Sequence, residues 1–218
     1  MRLCVISDTH NLHRQLTIPD CDVLIFAGDM CGMNVEKEVV DFNNWLGELP
    51  VKHKIVIAGN HDYPLYAFSY NWNRKVLNNA EYLENTGCSI DGITFWGSPF
   101  TPRFGEWWFM ADRGDDIKRH WNMIPKDTDV LITHGPAYGI LDKTADRFDY
   151  DHQKVNGESV GCFDLLNRLK QLEQLKVHCF GHIHGCYGIF KREGIQFINA
   201  SNCDETYELV NQPIIIDL

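Results

Sequence analysis

Five short apolar runs in this chain end the same way, in a cluster of Asp, Asn or His. Leu3-Cys4-Val5-Ile6 leads into Ser7-Asp8-Thr9-His10, Val23-Leu24-Ile25-Phe26-Ala27 into Gly28-Asp29, and Lys54-Ile55-Val56-Ile57-Ala58 into Gly59-Asn60-His61-Asp62. Val130-Leu131-Ile132 leads into Thr133-His134-Gly135-Pro136, and Val177-His178-Cys179-Phe180 into Gly181-His182-Ile183-His184-Gly185. Continuous apolar runs of this length suit strands buried on both faces, although periodicity alone does not separate them from buried helix. Open α/β sheets place their sites beyond the carboxyl ends of strands. The pattern therefore points to an α/β fold with polar, cation-binding side chains gathered at one rim. Such residues run from Asp8 to His184 with no natural boundary between them, so residues 1–218 read as one domain.

Helical signals fall between the runs. In residues 35–46, Val35, Val39, Phe42 and Leu46 share one face, and Asn34 is placed to cap the helix. Residues 159–175 show helical spacing at Phe163, Leu166 and Leu169, with Ser159 or Gly161 at the start. Asp91-Gly92 between Cys88-Ser89-Ile90 and Ile93-Thr94-Phe95-Trp96 predicts a tight hairpin. A second turn, 191–194, joins strand-like 187–190 to 195–198, and 213–218 reads as a closing strand with Pro213 at its tolerated first position. Residues 97–124, dense in aromatics, Pro and Gly, and residues 138–157 read as irregular.

Charge narrows the function. Thirty Asp+Glu against 20 Lys+Arg give a net charge of −10, which disfavours broad nucleic-acid binding and lowers a nuclease among the candidates. No run is apolar for the length of a membrane span, and the first residues lack the pattern of a signal peptide. The eight cysteines include no CxxC pair, and several lie in apolar runs where a thiol acts as a small hydrophobe. A reduced, cytoplasmic chain is expected, although an even count would also permit disulfides in a secreted one.

The residue types at the strand ends suit a metal site. Asp8 and His10, two apart in extended chain, can reach one ion, and Asn60 offers a neutral carbonyl oxygen. His182 and His184 place two imidazoles between glycines. Each piece alone also reads as a turn-capping Asp or a structural His; five such ends together favour metal ligation. Mixed N/O donors suit Mn²⁺, Fe or Zn²⁺ better than Mg²⁺, and Mn²⁺ is taken first. The aromatic group Phe100 to Phe109 suits stacking on a base or packing of a loop on the sheet.

The ordered set Asp8-Thr9-His10, Gly28-Asp29, Gly59-Asn60-His61-Asp62, Thr133-His134-Gly135 and Gly181-His182-Ile183-His184 resembles the calcineurin-like metallophosphoesterase superfamily. Further pieces, among them Gly97-Ser98-Pro99, Arg103-Phe104-Gly105-Glu106-Trp107 and Asn199-Ala200-Ser201-Asn202-Cys203, are similar to the metallophosphoesterase-domain-containing proteins related to class III cyclic nucleotide phosphodiesterases. The resemblance implies a four-layer sandwich of two mixed β-sheets with helices outside. It implies one ion on Asp8, His10, Asp29 and His184 and a second on Asp29, Asn60, His134 and His182, bridged by Asp29. His61 would orient the phosphate and protonate or stabilise the leaving oxygen, and Asp62 would brace His61. Apart from the resemblance, Arg103 reads either as a substrate-binding contact to phosphate or as a solvated charge. The implied reaction is in-line hydroxide attack on a small or cyclic phosphodiester. The alternatives are a phosphomonoesterase of nucleotides or phosphoproteins and a nucleotide-binding regulator with a vestigial site.

Overall fold

The apolar runs lack a polar alternation because each strand buries both of its faces, against different partners. The computed structural model of the chain describes residues 1–148 and 154–218. In chain order its strands are β1 (Arg2–Ile6), β2 (Val23–Ala27), β3 (His53–Ile57), β4 (Glu81–Tyr82), β5 (Thr86–Ile90), β6 (Ile93–Ser98), β7 (Thr101–Pro102), β8 (Met110–Ala111), β9 (Val130–Thr133), β10 (Arg147–Phe148), β11 (Lys154–Val155), β12 (Val177–Phe180), β13 (Gly188–Arg192), β14 (Ile195–Asn199) and β15 (Ile214–Asp217). The helices are α1 (Glu36–Glu48), α2 (Tyr63–Ala67), α3 (Tyr70–Val76), α4 (Asp115–Asn122) and α5 (Phe163–Leu169).

One sheet has the order β15-β1-β2-β3-β4 and the other β13-β14-β12-β9-β6-β5. In the first, β1 to β4 run parallel and β15 antiparallel to β1. In the second, β14, β12, β9 and β6 run parallel, while β13 and β5 are antiparallel edges. Leu3, Val5, Ile25 and Ile55 of the first sheet pack on Phe95, Val130, Val177 and Ile198 of the second. The intervening residues Cys4, Ile6, Leu24 and Phe26 face outward onto Val39, Phe42 and Leu46 of α1. Leu131 and Phe180 likewise face Ile117 and Trp121 of α4 and Leu165 of α5. The result is helix, sheet, sheet, helix, the expected four-layer arrangement.

Several local expectations change. Asn34 does not cap α1, because it takes a left-handed φ of 59°. The Glu38 carboxylate accepts the N–H groups of Gly32, Met33 and Val35 instead. For α5, neither Ser159 nor Gly161 is the cap; Cys162 precedes the helix and its Sγ accepts from Leu165 N–H. That helix ends at Leu169, short of the expected 175. Residues 97–124 contain α4, an amphipathic helix whose short pattern is hidden among aromatic and turn residues. The Asp91-Gly92 hairpin forms with φ of 49° and 81°, a left-handed pair that matches the twist of its strands. The second hairpin turns at Glu193-Gly194, because β13 continues to Arg192. Part of the irregular stretch 138–157 lies outside the described residues. No helix among the described residues is long and apolar enough to cross a membrane.

Candidate metal centre

The strands end in sharp turns that reverse the chain while aiming side chains into one space. Just beyond β1, Asp8 and His10 take φ of 51° and 40°; beyond β2, Asp29 takes 63°; beyond β12, His182 takes 69°. Non-glycine residues rarely adopt this region, although Asp, Asn and His do so more readily than most. Close approach needs glycine beside two of these turns. A Cβ on Gly181 would collide with Asp8 Oδ2, and one on Gly59 with Asp29 Oδ1.

Three imidazoles are fixed in the same tautomer. His10 Nδ1 lies 3.2 Å from Cys31 O, His134 Nδ1 2.9 Å from Ala27 O, and His184 Nδ1 2.7 Å from Asp204 O. A carbonyl only accepts, so each Nδ1 carries the donated proton and each Nε2 is left with its lone pair. Those Nε2 atoms converge. His10 Nε2 is 3.3 Å from His184 Nε2, and His184 Nε2 is 3.4 Å from Asp8 Oδ1. His134 Nε2 is 2.9 Å from Asn60 Oδ1 and 3.3 Å from Asp29 Oδ2. Lone pair facing lone pair in a buried site is repulsive unless a proton or a metal ion stands between them. The donor set and its carbonyl-anchored histidines therefore fit divalent cations.

Electrostatics agree with that fit. Burial pulls His134 down, but the Asp29 carboxylate outweighs it and the pKa rises to about 9. Burial also opposes charge on His184, yet its hydrogen bond to Asp8 lifts it to about 9. Without a metal, protons take the place of the cations. Burial raises Asp8 and Asp29, but His184 and His134 respectively hold them well below the ordinary carboxylate range. Burial, then the neighbouring His134, pushes His182 down to about 3.

The expected ligands come together unevenly. Ligand atoms of Asp8, His10 and His184, of Asp8, Asp29 and His134, and of His10, Asp29 and His61 each lie within 4.8 Å of one another. His182 is in none of these groups; its ring packs beside His134 at 4.9 Å and under Phe104 at 5.0 Å. The centre opens into a cleft of about 350 Å³ that Asp29, Asn60, His61 and His182 share with Arg103, Phe104, Trp107, Arg113 and Tyr207. His61 packs against Trp107 with ring centroids 4.2 Å apart and planes tilted by 31°, and meets His10 edge-on at 4.8 Å. The aromatic group thus divides: Phe104 and Trp107 line the cleft, whereas Phe109 and Trp121 are buried in the core.

Residues 1–186 match the family described as calcineurin-like phosphoesterase. The chain belongs to this family. This metal-dependent phosphoesterase is 37% identical over 239 residues to metallophosphoesterase domain-containing protein 1 of Homo sapiens, covering 100% of this chain and 71% of that protein. It is 37% identical over 234 residues to UPF0046 protein C25E10.12 of Caenorhabditis elegans, covering 100% of this chain and 81% of the relative. A solved crystal structure superposes with a TM-score of 0.58 over 91% of this chain and 89% of its own, at 16% identity, a likeness of fold.

Two expected roles in this phosphoesterase change. Asp62 does not brace the His61 ring; its carboxylate accepts the backbone N–H groups of Gly59, Asp29 and Cys31 at 2.8, 3.0 and 2.9 Å. It ties the β2 and β3 loops together beneath the centre. Arg103 lines the cleft, but its Nε stands 2.6 Å from Asp112 Oδ1, so a carboxylate already answers its charge. Sequence reasoning left other parts of the phosphoesterase site without a role. Ser201 Oγ donates to Asp8 Oδ2, and Asn202 Oδ1 accepts from Ser7 N–H. The Asn199-Ala200-Ser201-Asn202-Cys203 motif was the only signal for that support. Tyr207, packed 4.7 Å from His10, and Arg113 belong to no motif at all.

Proposed function

We propose that the chain is a dinuclear phosphodiesterase acting on small or cyclic phosphodiesters, with residues 1–218 forming one catalytic domain. The observation that carries the reading is the convergence of the three carbonyl-anchored histidines on two buried carboxylates. Asp8, His10, Asp29 and His184 would hold one ion, and Asn60, His134 and His182, with Asp29 shared, would hold the other. Mn²⁺ is the first assignment, ahead of Fe, Zn²⁺ and Mg²⁺, because the donors mix imidazole with oxygen. When bound, such ions activate water as a nucleophile and neutralise charge on the phosphoryl oxygens. Asp62 holds the turns that present Asp29 and Asn60 at fixed separation. His61, steadied between Trp107 and His10, orients the phosphate and gives its proton to the leaving oxygen.

The diester preference is supported by the cleft. Beside the centre it has a volume of about 350 Å³, and Phe104, Trp107, Pro102, Pro136, Val160 and Ile183 give it apolar wall on which an esterified group can rest. Among the described residues, the arginines on those walls are Arg103, already paired, and Arg113, whose hydrogen bonds go to Val160 and Gly161, so no arginine is directed at the centre to meet the second charge of a monoester's phosphoryl group. All eight cysteines are free thiols, which supports a cytoplasmic setting. The test is a metal-supplemented panel of 2′,3′- and 3′,5′-cyclic nucleotides, mononucleotides, and mono- and bis-aryl phosphates. Diesters are expected to give the higher kcat/KM. Faster turnover of monoesters under every metal would replace this reading with a phosphomonoesterase.

A further inference from the structure

Arg113 is anchored in the cleft without a counter-ion. Its Nη1 donates to Gly161 O at 2.8 Å and its Nη2 to Val160 O at 2.6 Å, and it forms no ion pair among the described residues. The carbonyls that hold it sit on a fixed segment. Val160 N–H donates to Asp142 O at 3.0 Å, Gly161 N–H to Asp142 Oδ2 at 3.0 Å, and Cys162 N–H to Pro136 O at 2.9 Å. Asp142 itself is buried. A guanidinium has five N–H donors in a rigid plane, so two anchored donors orient the rest. Neutral carbonyls set its direction while leaving its full charge for a ligand. In a chain of net charge −10, such a cation on the wall of the catalytic cleft is matched to an anion that arrives with the substrate.

The position of Arg113 indicates which anion. Its hydrogen bonds go to Val160 and Gly161 and none goes to a residue of the metal centre. It shares the cleft with the centre without taking part in it. We propose that Arg113 is a specificity-determining residue that receives a second anionic group of the substrate, a carboxylate or a further phosphate, apart from the scissile phosphate. The inference rests on the phosphoesterase reading of the cleft. Arg103 is the weaker candidate, because Asp112 would have to be displaced first.

The experiment compares wild type with Arg113→Met on substrates with and without a second anionic group. The diesters are methyl 4-nitrophenyl phosphate and its carboxymethyl and phosphonomethyl counterparts; the monoesters are phenyl phosphate and 4-carboxyphenyl phosphate. All are assayed with the Mn²⁺-supplemented enzyme, and the wild-type to variant ratio of kcat/KM is read for each, so that intrinsic reactivity cancels. The ratio is expected to be at least about tenfold larger for the substrate bearing the second anionic group than for its counterpart without it, through KM and not kcat. The larger of the carboxylate and phosphonate ratios identifies the anion. Ratios equal within each pair would overturn the role of Arg113 while leaving the diester reading intact. Turnover confined to the monoesters, with the tenfold difference present there, would sink the diester reading and sustain Arg113. If Arg113→Met does not fold, Arg113→Lys takes its place: it keeps the charge, loses the plane, and is expected to show the same difference at about threefold, with equal ratios again overturning the proposal.

Discussion

Asp29 shows how much one side chain can be asked to do. Its backbone is left-handed, its N–H is held by Asp62, its Oδ1 accepts from His61 N–H, and its Oδ2 faces His134 and His10. Asp29→Asn keeps the shape and removes the charge that, in the proposed arrangement, both ions would share. Metal analysis of the purified variant is expected to show loss at both positions, with turnover down by at least about a hundredfold; full occupancy with full activity would end the bridging assignment. His61 is the complementary case. His61→Ala is expected to keep its metals and lose roughly 10²–10⁴-fold on poor leaving groups, and less on aryl esters that need little acid help. Because His61 lies within reach of His10 and Asp29, metal content must be read on the same sample. A flat leaving-group response, or missing metal, would remove it from the general-acid role. The candidate ligands could be found in the sequence because each follows an apolar run. Tyr207 and Arg113 could not, since they reach the cleft through tertiary packing that no local pattern records. Asp62 misled because its neighbour in sequence, His61, is not its partner in space; its oxygens point to main chain from two loops.

Among the elements, β12 carries a buried histidine inside the second sheet. The Thr133 hydroxyl donates to Gly135 O at 2.7 Å, so His178 Nε2 must donate to Thr133 Oγ1 at 2.8 Å, leaving Nδ1 an acceptor with no partner. This chain of two hydrogen bonds helps shape the turn that carries His134. Burial pushes His178 down to about 3, below its ordinary value of 6.5. Between those values the unfolded chain takes up a proton that the folded one refuses. The contribution of neutral His178 is thus fully present above pH 6.5 and is lost as pH falls toward 3. Denaturant unfolding of wild type and His178→Gln across that window is expected to diverge by up to about 1.4 kcal/mol per pH unit, wild type falling faster. Parallel pH profiles would show that His178 is not excluded from charging. Elsewhere the legibility of elements followed their length. The long strands and α1 announced themselves, whereas α4 was masked by neighbouring aromatics, and the start of α1 was decided by Glu38 reaching back and not by Asn34.

At the scale of the molecule, the alternation of each strand between two cores explains why fold class was readable and layer assignment was not. Cys4 and Val5 look alike in the sequence, yet one faces α1 and the other the opposing sheet. The closing strand, by contrast, could be placed from its unbroken apolar run. Paired with β1 from Arg2↔Asp217 to Val5↔Ile214, its amides are expected to exchange slowly with solvent, together with those of β1. Early exchange at Ile214–Asp217 would show the pairing to be weak.

That pairing joins the first strand to the last, and it sets a timetable. β1 is made long before residues 214–217, which alone fill its outer edge. The partners of Asp8 and His10 arrive late as well, His184 with its anchor Asp204 among them. At roughly 5–20 residues per second of synthesis, β1 waits about 10–40 s for them. Until residues 214–217 are made the nascent chain keeps an open strand edge, so any cellular factor that shields β1 must act in that interval, before the edge is paired.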